Sequence, residues 1–186
     1  MSTEKPLECI VRPRGPAFAT KFAQDLVSLF VGSDRIDATA TSQGIVVRCL
    51  WERDLEWAAE RIKGVFPGEL LWTEPRVIYR AEVICGVSVV MEPMLMVHTT
   101  TPEDNAGTVM GELSRRRGMI TGMDDVLDQK VIHAQVPLAE MAGYCSWHAD
   151  ASKGKGSAVA DFDSYQEAPR GRGPDPNEPV SAALRA

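Results

Sequence analysis

The chain reads as an α+β protein of two βαββαβ sandwich domains in tandem. Three observations lead there. Strand-like alternation and helix-like spacing follow one another in the order strand–helix–strand–strand–helix–strand. That order occurs twice, once in each half. Proline and glycine fall between the segments, where turns are needed. The 186 residues suffice for one large or two small domains, and 44% hydrophobic with 25% charged residues supports a buried core.

In the first half, Leu7 to Arg12 alternates, with Leu7, Cys9 and Val11 on one face, until Pro13, Gly15 and Pro16 break it. Phe18, Phe22, Leu26, Leu29 and Phe30 mark a helix ending at Gly32. Ile36, Ala38 and Ala40 alternate in a strand, Ser42 to Gly44 turns the chain, and Ile45 to Leu50 returns. Leu55, Ala59, Ile62 and Phe66 give a second helix, stopped by Pro67 and Gly68. Leu70 to Glu82 is extended, and Pro75, which has no N–H to donate, demands an edge strand or a break.

In the second half, Val87 to Thr99 is a strand and Pro102 to Arg117 a helix. Thr101 is placed to cap that helix, Pro102 suits its first position, and Glu103 and Asp104 favour its positive end. Ala106, Val109, Met110 and Leu113 form its apolar stripe, and Gly118 is expected to close it in the left-handed conformation. Met119 to Met123 and Val131 to Pro137 are strands, Leu138 to Trp147 is a helix, and Ser157 to Asp163 is the last strand. Each half then folds as a four-stranded antiparallel sheet with two helices on one face, the ferredoxin-like arrangement. The expected domains are 1–82 and 83–169. Residues 170–186, rich in Pro and Gly and without apolar periodicity, are expected to be a flexible tail.

A net charge of −6 and a pI of about 5.1 exclude a general polyanion binder, so nucleic-acid contact would need a local basic patch. The N-terminus lacks the apolar core of a signal peptide, and no apolar run reaches a membrane span, which leads to the expectation of a cytoplasmic protein without a membrane partner. Cys9, Cys49, Cys85 and Cys145 are scattered, and His98, His133 and His148 do not supply zinc-ligand spacing, so no metal and no cofactor are expected.

Several motifs resemble the last domain of elongation factor G and its relatives. They are Glu92-Pro-Met, Thr100-Thr-Pro-Glu-Asp104, Gly111-Glu-Leu-Ser-Arg-Arg-Arg-Gly-Met-Ile-Thr-Gly-Met123, Val136-Pro-Leu-Ala-Glu-Met-Ala-Gly-Tyr144, Gly154-Lys-Gly-Ser157 and Phe162-Asp-Ser-Tyr-Gln-Glu-Ala-Pro169. The first half is similar to the third domain of that family through its element order, Trp51 to Ile62 and Pro75 to Arg80, although Asp54 stands where the family carries a histidine. The family's long fourth domain has no counterpart between the halves. Nor does this chain contain a phosphate-cradling Gly-x-x-x-x-Gly-Lys-Ser/Thr loop, so it is not expected to be an enzyme, and no small-molecule substrate is predicted.

The resemblance implies a partner, the ribosome near its translation-factor site, with a translational GTPase as a further one to modulate or compete with. It also implies RNA-binding residues: Arg115, Arg116 and Arg117, with Lys153 and Lys155 in the glycine loop. The same arginines can instead serve the negative end of their helix, and glycine-lysine loops are common solvated turns. Where the family commonly has Leu-Arg-Ser before that loop, this chain has His148-Ala149-Asp150, an arginine lost and an acid gained. Trp51, Trp57 and Trp72 read as packing rather than base-stacking residues, because Glu52 and Glu56 flank the first two. Glu140, His148 and Asp150 define no hydrolase, since neither nucleophile nor cleft accompanies them. The competing function class is a protein–protein or small-ligand regulatory module that keeps the fold without the ribosome. A third is a relic, or one piece of a factor completed by a separate chain.

Overall fold

The computed structural model describes residues 4–14, 19–66 and 68–169, so the expected tail from 170 lies outside it. The chain divides into two compact units, Met1–Val77 and Ile78–Ala186. Each is an antiparallel sheet with two helices.

In the first unit, β1 (Leu7–Pro13), α1 (Ala19–Val27), β2 (Asp37–Thr41), β3 (Gly44–Cys49), α2 (Glu52–Val65), β4 (Leu70–Trp72) and β5 (Arg76–Val77) follow in order. The sheet runs β2-β3-β1-β4, with β5 continuing along the β1 edge. Leu7, Cys9 and Val11 face the helices as their alternation predicts, and they meet Phe22, Leu26, Ile45, Val47, Leu55 and Ile62 in the core. The last strand is split at Thr73–Pro75, where proline cannot donate to the ladder. Thr73 bridges the gap: its amide donates to Ile10 O at 3.0 Å, and its hydroxyl accepts from Ile10 N at 2.9 Å. Gly44 closes the β2–β3 turn at φ +137°, and a Cβ there would lie 2.3 Å from Val11 O. No other residue fits.

In the second unit, β6 (Arg80–Ile84) and β7 (Val87–Pro102) form a hairpin, followed by α3 (Ala106–Arg115), β8 (Met119–Val126), β9 (Gln129–Pro137), α4 (Tyr144–Ala151) and β10 (Ser157–Glu167). The sheet order is β10-β7-β9-β8, with β6 pairing β7. Both units thus have the strand order of the ferredoxin-like fold, as the sequence predicts. Leu95, Val97 and Thr99 of β7, with Ile132, Ala134 and Val136 of β9, face Val109 and Leu113 of α3 and Tyr144 of α4. Burying a leucine or valine of this kind contributes roughly 1.5–3 kcal/mol. The Thr99 and Tyr144 hydroxyls hydrogen-bond at 2.8 Å in this core, and burial pushes the Tyr144 phenol up to about 12.

Four details depart from the sequence expectations. Residues 78–82 belong to the second unit, because β6 pairs with the start of β7, Arg80 opposite Met91. Thr101 does not cap α3; it lies in β7 with its hydroxyl buried and unpartnered, and a 3₁₀ turn at Glu103–Asn105 delays the helix. The segment from Leu138 is a 3₁₀ turn to Glu140, and Gly143 at φ +68° interrupts it before α4 begins at Tyr144. At the end of α3 the left-handed residue is Arg117, at φ +62°, not Gly118.

That last exchange has a steric cause. Gly118 N donates to Leu113 O at 2.8 Å and Arg117 N to Ser114 O at 3.0 Å, the paired bonds of a Schellman closure. A Cβ on Gly118 would come within 2.6 Å of Leu113 O and 3.0 Å of Val136 Cγ2. The glycine is required for close approach rather than for φ. Gly118→Ala should therefore destabilise the second unit by about 1–3 kcal/mol, the usual overpacking cost, measurable as a lower thermal or urea midpoint.

Candidate nucleic-acid interface

The Schellman closure aims three consecutive arginines in different directions. Arg115, the most exposed at 70% of its side chain, donates to both Glu112 oxygens at 2.8 and 2.6 Å. Arg116 is 12% exposed. Its Nε donates to Glu112 at 2.7 Å, its Nη1 to the carbonyls of Glu140 and Ala142 at 2.6 and 2.8 Å, and its guanidinium lies 5.4 Å from the Tyr144 ring centre. Arg117 turns back over the sheet and grips buried Glu92 with two bonds, at 2.5 and 3.2 Å, while Glu140 lies 3.5 Å away.

Three carboxylates thus meet three guanidiniums. The two arginines beside Glu112 hold its carboxyl down at about 2, hydrogen bonding to Arg115 being the largest cause. Arg116 and Arg117 fasten the end of α3 to the 138–142 turn and to the first part of β7. Of the triplet, Arg115 alone presents a largely exposed guanidinium.

Lys153 and Lys155 are exposed, and their ammonium groups have no ion-pair partner among the described residues. Their loop leaves α4 through a second Schellman closure: Gly154 N donates to Ala149 O at 2.8 Å and Lys153 N to Asp150 O at 3.1 Å, with Lys153 at φ +53°. Gln129 Nε2 donates to Lys155 O at 2.9 Å and anchors the loop to β9. Gly156 lets the chain pass Thr100 O and the His148 ring, which a Cβ would approach to 2.5 and 2.6 Å.

The two basic spots do not converge. The arginines sit beside Glu92 and the lysine loop beside Thr100, about 26 Å apart along a strand rising roughly 3.3 Å per residue. In this topology α3 and α4 run in opposite senses, so their C-terminal ends fall at opposite ends of the sheet. Sequence spacing alone could have found Glu112, three and four residues before Arg115 and Arg116. Glu92 and Glu140 carried no local signal.

Other residues weighed from the sequence fall into packing roles. His148 is buried, its Nε2 has no hydrogen-bond partner, and burial holds its imidazole below the usual value of 6.5. Trp51 is buried, and the Trp57 ring centre lies 6.3 Å from that of Phe30 and 4.8 Å from the guanidinium of Arg61. Asp54 is half-buried, and burial raises its carboxyl. Cys9 and Cys49 are buried with raised thiol pKa values, Cys145 is half-buried and Cys85 is exposed. No cluster of three or more His, Cys, Asp or Glu side chains is placed to hold a metal among the described residues, and no described helix is long and apolar enough to cross a membrane.

The second unit is thus a ferredoxin-like domain whose helix ends carry basic side chains. Residues 89–173 match the family model described as Elongation factor G C-terminus, and this part of the chain is an elongation factor G C-terminal-type domain. A crystal structure of a protein from Thermus thermophilus shares the fold over 90% of this chain, with a TM-score of 0.64 and 16% identity. This chain spans 41% of that one.

Two outcomes follow from the paired charges. Arg117→Ala strands the buried Glu92 carboxylate and should cost about 3 kcal/mol, the low end for breaking a buried pair because Arg117 keeps an edge in water; Arg115→Ala should leave the thermal midpoint nearly unchanged. His148 binds its proton more weakly folded than unfolded, so its contribution to stability is present above pH 6.5 and is lost as the pH falls through and below that value. Thermal midpoints followed from about pH 7.5 to about pH 5 should drop, with a shallower slope in His148→Gln.

Proposed function

We propose that this chain is a non-catalytic, elongation factor G-like module that docks on the ribosome near the translation-factor site through its second unit, and that it modulates or competes with translational GTPases. The observation that carries this reading is the family match over residues 89–173. The exposed basic groups support it: Arg115, paired with Glu112 but with 70% of its side chain exposed, at one end of the sheet, and the unpaired Lys153 and Lys155 at the other, are suited to phosphates at two separated points. Arg116 and Arg117 serve instead to hold the α3 end in place. Docking by shape with few phosphate contacts also fits the net charge of −6, which would repel RNA elsewhere.

A small-ligand regulatory module is the second reading. It is favoured by an apolar cavity of about 370 Å³ in the first unit, lined by Pro13, Phe22, Leu26, Val65 and Phe66, with Lys21 and Asp25 also in its lining.

Co-sedimentation with ribosomes at graded salt tests the docking reading. Saturable binding should weaken with salt and be displaced by elongation factor G. Each phosphate contact removed by Arg115→Gln, Lys153→Gln or Lys155→Gln should reduce the log–log salt slope by about 1. Absence of binding at low salt would overturn docking and leave the ligand-module reading.

A further inference from the structure

The apolar cavity of the first unit has a charged rim. Phe22 and Leu26, one helical turn apart on α1, are both buried and form its inner wall. Phe66, which leaves the end of α2 in an extended conformation, meets Phe22 edge to face with ring centroids 4.9 Å apart. Pro13 at the end of β1 and Val65 at the end of α2 complete the apolar lining. Val65 is 60% exposed, so the cavity opens to water beside it. A hollow of this kind holds the apolar part of a ligand better than it holds water.

Lys21 and Asp25 are the remaining lining residues. They stand at i and i+4 on α1, in the row of side chains next to that of Phe22 and Leu26. Both are exposed, and neither forms an ion pair among the described residues, with the other or with a third group. One cation and one anion thus remain available, a helical turn apart, at the edge of an apolar hollow. A fatty acid would satisfy Lys21 but bring its carboxylate against Asp25. An apolar amine would satisfy Asp25 and meet repulsion from Lys21. A ligand that joins a carboxylate, an ammonium group and an apolar body at one carbon satisfies all three features.

We propose that this cavity binds a free apolar α-amino acid of the size of leucine or phenylalanine. Its carboxylate pairs with Lys21, its ammonium group with Asp25, and its side chain lies against Phe22, Leu26 and Phe66. The volume of about 370 Å³ is that of roughly twelve waters at about 30 Å³ each, enough for an aromatic side chain and its α-carbon. The crossed rings of Phe22 and Phe66 offer such a side chain both a face and an edge to pack on. The inference rests on the small-ligand reading of the first unit and is independent of ribosome docking by the second.

The test is a titration of the full chain with L-phenylalanine, followed by amide NMR. Binding should saturate with a dissociation constant below about 1 mM, and shifts should concentrate on α1 and the end of α2. Lys21→Gln should weaken L-phenylalanine and 3-phenylpropionate about fivefold, the upper end for an exposed ion pair, and spare phenethylamine. Asp25→Asn should do the reverse, weakening L-phenylalanine and phenethylamine and sparing 3-phenylpropionate. Val65→Trp fills the opening and should abolish binding of all three. Circular dichroism melts establish that the variants remain folded. Benzyl alcohol that binds as tightly as L-phenylalanine, with both charge variants without effect, would overturn the amino-acid assignment and leave the apolar cavity of the small-ligand reading standing. If neither compound binds at several millimolar, both fall. Undiminished binding in folded Val65→Trp would put the ligand elsewhere and overturn the site.

Discussion

Strand β7 is the constraint on which the second unit rests. It runs sixteen residues, from Val87 to Pro102, and pairs with β6, β9 and β10. A strand alternates its side chains with period two, and from Leu95 onward one face of β7 is buried against the helices while the other is partly exposed. Leu95, Val97, Thr99 and Thr101 take the helix side and are wholly buried. Met96, His98 and Thr100 take the open side. The same strand that builds the core therefore also sets His98 against His133. A one-residue slip in its register would exchange the two sets, exposing the core residues and burying His98.

The ends of β7 govern the electrostatics. Glu92 near its start is buried, and a buried carboxylate without a partner is costly enough to demand a cation. Arg117 supplies it, and to do so it takes a left-handed backbone that an arginine rarely adopts. The two bonds to Glu92 and the Schellman closure hold it there. Arg116 is drawn inward by Glu112 and two carbonyls. What looks like a run of three positive charges is thus mostly internal wiring. At the other end of β7, the loop that follows α4 keeps its lysines free, because no acid among the described residues pairs with them.

Much of the fold was legible because the signals are local. The alternation of Leu7, Cys9 and Val11, the stripe of Ala106, Val109 and Leu113, and the break at Pro75 each follow from residues within a few positions of one another. The arginine triplet and Gly118 mark where α3 closes, to within two residues, but not which residue turns left-handed. Propensity favours glycine there, and the approach of Leu113 O and Val136 to Gly118 reserves the glycine for a different purpose. The start of α4 is not legible in the sequence, because Leu138 to Glu140 has helical residues that extend only a single 3₁₀ turn before Gly143 reverses the backbone. The second unit starts earlier than the sequence pattern suggests because β6 pairs forward with β7, and a hairpin partner cannot be read from one strand.

By itself, then, the sequence determined the two sandwiches, the order of their elements and the family character of residues 89–173, since these depend on periodicity, turn chemistry and short motifs. Tertiary structure alone decided which charges are available. Arg117 meets Glu92 across 25 positions and His98 meets His133 across 35, so neither pairing leaves a trace in local spacing. Both are made by strand register and by a helix returning over the sheet, and those are properties of the folded chain.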